Sequence, residues 1–120
     1  MPFLRHRNIA KTLVLLLLCL HFSGCMKWDY NEPEDFNASG AGLFIVNEGN
    51  FQYGNASLSY YVPETGTVQN EVFFRANGMK LGDVAQSMCI HDNKGWVVVN
   101  NSHVIFAIDL NTFKEVGRIE

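Results

Sequence analysis

Few side chains here have chemistry to offer. His91 and His103 have no partner at metal-ligand spacing. Asp83, Asp92 and Asp109 fall at turns or strand ends, where carboxylates commonly bond the backbone. Cys89 lies in the apolar run Val84-Ala85-Gln86-Ser87-Met88-Cys89-Ile90, with no basic neighbour to activate its thiol, and reads as a small buried core residue. There is no phosphate loop, no serine elbow and no cysteine pair. The sequence therefore offers no catalytic constellation, no metal set and no expected cofactor. The densest polar and aromatic groups are loop residues: Glu48, Asn50, Phe51, Tyr53 and Asn55, then Asn77, Lys80 and Asp83, then Asn101, Ser102 and His103. Aromatic and amide side chains together suit a flat polar ligand with apolar parts. The same residue types also serve as solvated loop tips and turn formers.

One further residue is placed for covalent chemistry. Arg5, Arg7 and Lys11 form a basic leader, followed by the unbroken apolar run 13–20. At about 1.5 Å per residue that run is too short for a hydrocarbon core of about 30 Å. It has the form of a secretory signal peptide over 1–24. The segment Phe22-Ser23-Gly24-Cys25 that closes it resembles the lipobox of bacterial lipoproteins, with Phe22 in place of the usual Leu. In that resemblance the Cys25 sulfur takes up a diacylglyceryl group, and the small residues before it let the peptidase reach the backbone. Fatty chains such as palmitate contribute about 0.8 kcal/mol per buried methylene, so several of them hold a protein on a membrane. The expected location is the outer membrane, on its surface or its periplasmic face. With Cys19 removed and Cys25 acylated, Cys89 alone remains and no disulfide framework is expected.

All 12 acidic residues lie after residue 24, against six Lys or Arg, a balance of −6. That excludes nucleic acid as an expected partner, because phosphate binding needs clustered Lys and Arg. Residues 25–42 read as the lipidated cysteine and a flexible acidic tether. From Leu43 onward short β-rich runs alternate with turn residues: 43–47, 57–62, 67–74, 84–91, 96–100, 103–109 and 113–119. Turn signals lie between them at Pro63-Glu64-Thr65-Gly66, Asn77-Gly78, Asp92-Asn93-Lys94-Gly95 and Leu110-Asn111-Thr112.

A repeat is visible. Phe44-Ile45-Val46-Asn47 lines up with Val97-Val98-Val99-Asn100, Tyr60-Tyr61-Val62 with Phe106-Ala107-Ile108, and Val68 with Val116. The offset is 53 residues at the first match and about 47 later, so loop 48–56 is longer in the first copy. A period of about 45 residues with several strands per unit fits propeller blades. The two Asn-terminated runs resemble the Tyr-Val-Thr-Asn strand of YncE-like β-propellers. Leu81-Gly82-Asp83-Val84-Ala85-Gln86-Ser87-Met88 resembles the start of a blade in Bacteroidetes propeller lipoproteins, as do Asn47-Glu48-Gly49-Asn50-Phe51 and Asn55-Ala56-Ser57-Leu58-Ser59-Tyr60-Tyr61. The resemblance covers about 43–120. It implies an all-β fold, and some members, the BtuG-like surface lipoproteins, capture cobalamin beside an outer-membrane transporter.

The expected architecture is therefore about two antiparallel blades of an incomplete β-propeller after a helical signal peptide. The first copy lacks an innermost strand, and a ring needs at least about four blades. The chain reads as a truncated or split version of a longer protein, completed by another polypeptide. Antiparallel alternation puts the three loop groups at one end of the blades. The expected function is non-enzymatic ligand or nutrient capture, with corrinoids among the candidate ligands. The alternatives are a propeller-type enzyme (lactonase-like or quinoprotein-like) and a structural or non-functional fragment.

Overall fold

The computed structural model describes residues 32–38 and 41–120. The segment read as a signal peptide, and Cys25, lie outside the described residues. Among the described residues, alternating apolar and polar positions produce two antiparallel meanders and no closed barrel. The first meander is β1 (Leu43–Asn47), β2 (Ser57–Val62) and β3 (Thr67–Gln69). The second is β4 (Ala85–His91), β5 (Lys94–Val99), β6 (Val104–Asp109) and β7 (Glu115–Ile119). This is the all-β architecture expected of about two blades of an incomplete propeller.

The repeat holds in register. Phe44 pairs with Tyr60 as Val97 pairs with Phe106, and Val46 with Leu58 as Val99 with Val104. β1, β2 and β3 thus correspond to β5, β6 and β7, and β4 has no counterpart in the first sheet. Turns follow their residues. Asp92 and Asn93, both left-handed at φ 48° and 59°, make the two-residue connection whose twist matches the flanking strands. Gly42 precedes β1 directly under the Tyr60 ring, which any Cβ there would strike.

Three segments depart from the sequence reading. The run 67–74, expected as one strand, stops at Gln69, and a short helix, α1 (Val72–Asn77), follows. A strand would turn Val72 and Phe73 to opposite faces. The helix puts Val72, Phe73 and Ala76 together in the core. Gly78, at φ 68°, ends it by donating its N–H to the Phe74 carbonyl. Asn77-Gly78 is therefore a helix cap rather than a hairpin turn. Cys89, expected to be buried, is exposed. Its neighbours in sequence are apolar, but among the described residues its side of β4 is left exposed. Phe113, expected inside the last strand, occupies a left-handed turn at φ 58° with β7 beginning after it.

One core joins both sheets and the helix. It includes Leu58, Tyr60, Phe73, Val97, Val99, Phe106, Ile108 and Phe113. Phe113 lies 5.0 Å from Phe36, 5.8 Å from Phe44 and 5.1 Å from Tyr60 between ring centroids, so a residue of the second meander anchors the first. Residues 32–38, read as tether, lie against this core. Ala38 N–H donates to the Asn111 carbonyl, and Glu34 accepts from Arg75 Nε and Nη2. The Arg75 hydrogen bonds hold the Glu34 carboxyl below its usual value, and Lys114 does the same to Asp35.

The opposite face of each sheet is open. Leu43, Tyr61 and Val68 form a row on the first, with Leu43 61% and Val68 49% exposed. Half-buried Val98 and Ile105 and exposed Ile119 form a row on the second, with Ile119 58% exposed and half-buried Trp96 beside them.

The turn after β6 supplies a pH test. Asp109 Oδ1 accepts the Thr112 and Asn111 N–H groups and the Thr112 hydroxyl. Chiefly the Thr112 N–H holds this carboxyl below the usual carboxylate range. A depressed folded pKa means the stabilisation is whole above the unfolded value and fades as pH falls through the folded one. Denaturation midpoints followed from pH 6 to 2 should therefore drop below about pH 4, and Asp109→Asn should flatten part of that drop. An unchanged profile would remove Asp109 from the acid response.

Candidate functional site

The site begins where β1 ends. Asn47 Nδ2 donates to Ser57 Oγ at 3.1 Å and Ser59 Oγ at 2.9 Å, fixing both stems of loop 48–56. Inside the loop, Asn50 N–H donates to Asn55 Oδ1 at 2.8 Å and Tyr53 N–H to the Asn50 carbonyl at 3.0 Å. Gln52, left-handed at φ 69°, turns its N–H onto Asp83 Oδ2 at 2.7 Å. Asn101 Nδ2 donates to the same oxygen at 2.6 Å. Asp83 N–H reaches Ser102 Oγ at 2.8 Å, Ala56 N–H the Gly82 carbonyl, and Ala85 N–H the Glu48 carbonyl. Three loops distant in sequence are thus knotted around one carboxylate.

Asp83 is buried, and its Oδ1 has no hydrogen-bond partner among the described residues. It is a structural clasp rather than an exposed ligand group. The clasp leaves Phe51 63% and Tyr53 74% exposed on a fixed loop. Glu48, Asn50, Asn55, Lys80, Asn101 and His103 are also exposed. His103 closes the turn Asn100–Ser102 in a left-handed conformation, its N–H on the Asn100 carbonyl. Asn77 does not join this group. It bonds the Phe73 and Phe113 carbonyls and takes the Glu115 N–H, tying α1 to β7.

Below the loop is a cleft of about 440 Å³, including the open space at its mouth. Asn55 and Lys80 line it, with Ala56, Ser57, Glu71, Phe73, Phe74 and Leu81. Phe73, Leu81 and Ala56 are buried and make an apolar floor. Glu71, Lys80 and Asn55 form an exposed polar rim. Glu71, Phe73 and Phe74 were hidden from sequence reasoning because their segment read as strand. The signal that finds them is the one-face spacing of Val72, Phe73 and Ala76 with Gly78 after it. An apolar floor with a sparse polar rim is how small-molecule sites are built. Among the described residues, no group of three His, Cys, Asp or Glu is placed to hold a metal ion.

The family model described as Domain of unknown function (DUF5074) matches residues 41–120. The chain belongs to this family. No curated protein matches it. The part of the chain matched to DUF5074 starts just before β1 and contains both meanders, the clasped loop and every residue of the cleft.

Proposed function

We propose that this DUF5074 chain is a lipid-anchored, non-enzymatic binding module of the bacterial envelope, capturing a small ligand at the loop end of its sheets. The observation that carries this is the clasp at Asp83. It holds a loop with two exposed aromatic rings beside a preformed cleft. Exposed aromatics on a fixed loop present large contact area at little conformational cost, and the order is in place before a ligand arrives. YncE-like propeller lipoproteins, BtuG-like ones among them, supply the finer proposal: a corrinoid lying across Phe51 and Tyr53, passed to an outer-membrane transporter. The two open apolar faces would take further sheets, from a completing polypeptide or another copy.

Two measurements test the proposal. Cells fed radiolabelled palmitate should label the chain, and Cys25→Ser should abolish the label. Label on the Cys25→Ser protein, or none on either, would end the anchoring proposal. Titration of the full chain in detergent with cyanocobalamin should give micromolar binding, weakened by Phe51→Ala with Tyr53→Ala. Absence of binding at that level would remove the corrinoid.

A further inference from the structure

The cleft under the loop has a chemistry of its own, separate from the exposed rings above it. Its floor is apolar and aromatic: Phe73, Phe74 and Leu81. Much of its about 440 Å³ is open space at the mouth, so the apolar floor itself offers room for one side chain. The rim carries hydrogen-bond donors with nothing to donate to. Lys80 makes no ion pair among the described residues. Ser57 Oγ already accepts Asn47 Nδ2, so its proton remains to be given. Asn55 Oδ1 accepts Asn50 N–H, which leaves its amide nitrogen as the donor. Three donors, one of them cationic, line the same cleft, a composition that matches an anionic group. Glu71 supplies the opposite charge on the same rim and forms no ion pair with Lys80. It stands at the head of α1 without capping it, in a left-handed conformation at φ 54°.

The geometry points to a free apolar α-amino acid as the ligand of this cleft. Its side chain lies on Phe73, Phe74 and Leu81, its carboxylate meets Lys80, Ser57 and Asn55, and its ammonium meets Glu71. The assignment rests on the capture role proposed above and names the ligand class for one part of that site. A zwitterion satisfies both rim charges at once, which neither a simple carboxylate nor a simple amine does.

The test uses the full chain in detergent and calorimetric titration with three probes: L-phenylalanine, N-acetyl-L-phenylalanine and L-phenylalanine amide. Phenylalanine should bind, and loss of either charge should weaken binding about tenfold or more, the effect of one charge-assisted hydrogen bond. Lys80→Met should weaken phenylalanine binding by a similar factor and erase its advantage over the amide. Glu71→Gln should erase its advantage over the N-acetyl compound. Both substitutions are on exposed rim positions, and an unchanged circular dichroism spectrum would show that the fold is kept. Equal affinity for all three probes, or no heat with phenylalanine at millimolar concentration, overturns the assignment. If phenylalanine fails while cyanocobalamin binds, the amino-acid ligand falls and the capture role stands. If neither binds, both fall.

Discussion

Replacing Phe113 with alanine should cost about 3–5 kcal/mol, the range for emptying a buried aromatic site. Few positions concentrate so much. The ring is 1% exposed and touches Phe36, Phe44 and Tyr60, so its loss opens a cavity between the two meanders rather than inside one. Its backbone is also committed: N–H to the Asp109 carbonyl and carbonyl to Asn77 Nδ2. Typical domains have only about 5–15 kcal/mol to lose, so the variant should be largely unfolded in mild urea. Alanine keeps the left-handed strain, since it too has a Cβ. Phe113→Leu should lose less, because it refills much of the space. Urea unfolding followed by tryptophan fluorescence checks this. A loss under about 1 kcal/mol for alanine would show that the meanders do not depend on this ring.

The second large effect is at Asp83. Asp83→Ala removes the acceptor for Gln52 N–H and Asn101 Nδ2 together. Stranded donors cost about 1–3 kcal/mol where water cannot reach them. Gln52 is exposed, so part of that cost is recovered by solvent. The sharper consequence is local. Hydrogen exchange at Gln52 and across 48–56 should accelerate by orders of magnitude while β5 and β6 stay protected. Asp83→Asn should be milder. One amide oxygen can accept both bonds, and its NH₂ then lies where Oδ1 now has no partner. Asparagine as damaging as alanine would mean that the negative charge, and not the acceptor, holds the loop.

The strands were legible because their physics is local. β1 and β2 begin and end where alternation and turn residues place them, and the residues the repeat lined up take equivalent pairing positions in the two meanders. The convergence of 48–56, Asp83 and Asn101 was legible too, since antiparallel alternation leaves those loops at one end. What failed depended on neighbours. Val72-Phe73-Phe74 is apolar enough for a buried strand, and only the core's placement makes it a helix. Cys89 has apolar sequence neighbours, yet burial depends on what packs over β4, and that is a fact of assembly. Phe113 has strand propensity but lies in a turn whose conformation Asp109 dictates through its bonds to Asn111 and Thr112. Asn77, grouped with the ligand loops as a polar turn residue, instead bonds three backbone groups. The cleft floor went unseen because it stands on the misread helix.

Two blade-like meanders share one core, and each keeps exposed apolar residues on its other face. Sedimentation equilibrium of residues 26–120, free of lipid and signal, tests it most directly. Leu43 and Val68 on one face and Val98, Ile105 and Ile119 on the other should drive association. The apparent mass should rise with concentration, and Ile105→Glu with Ile119→Glu should lower it. A single monomer at every concentration, melting in one sharp transition, would contradict the claim.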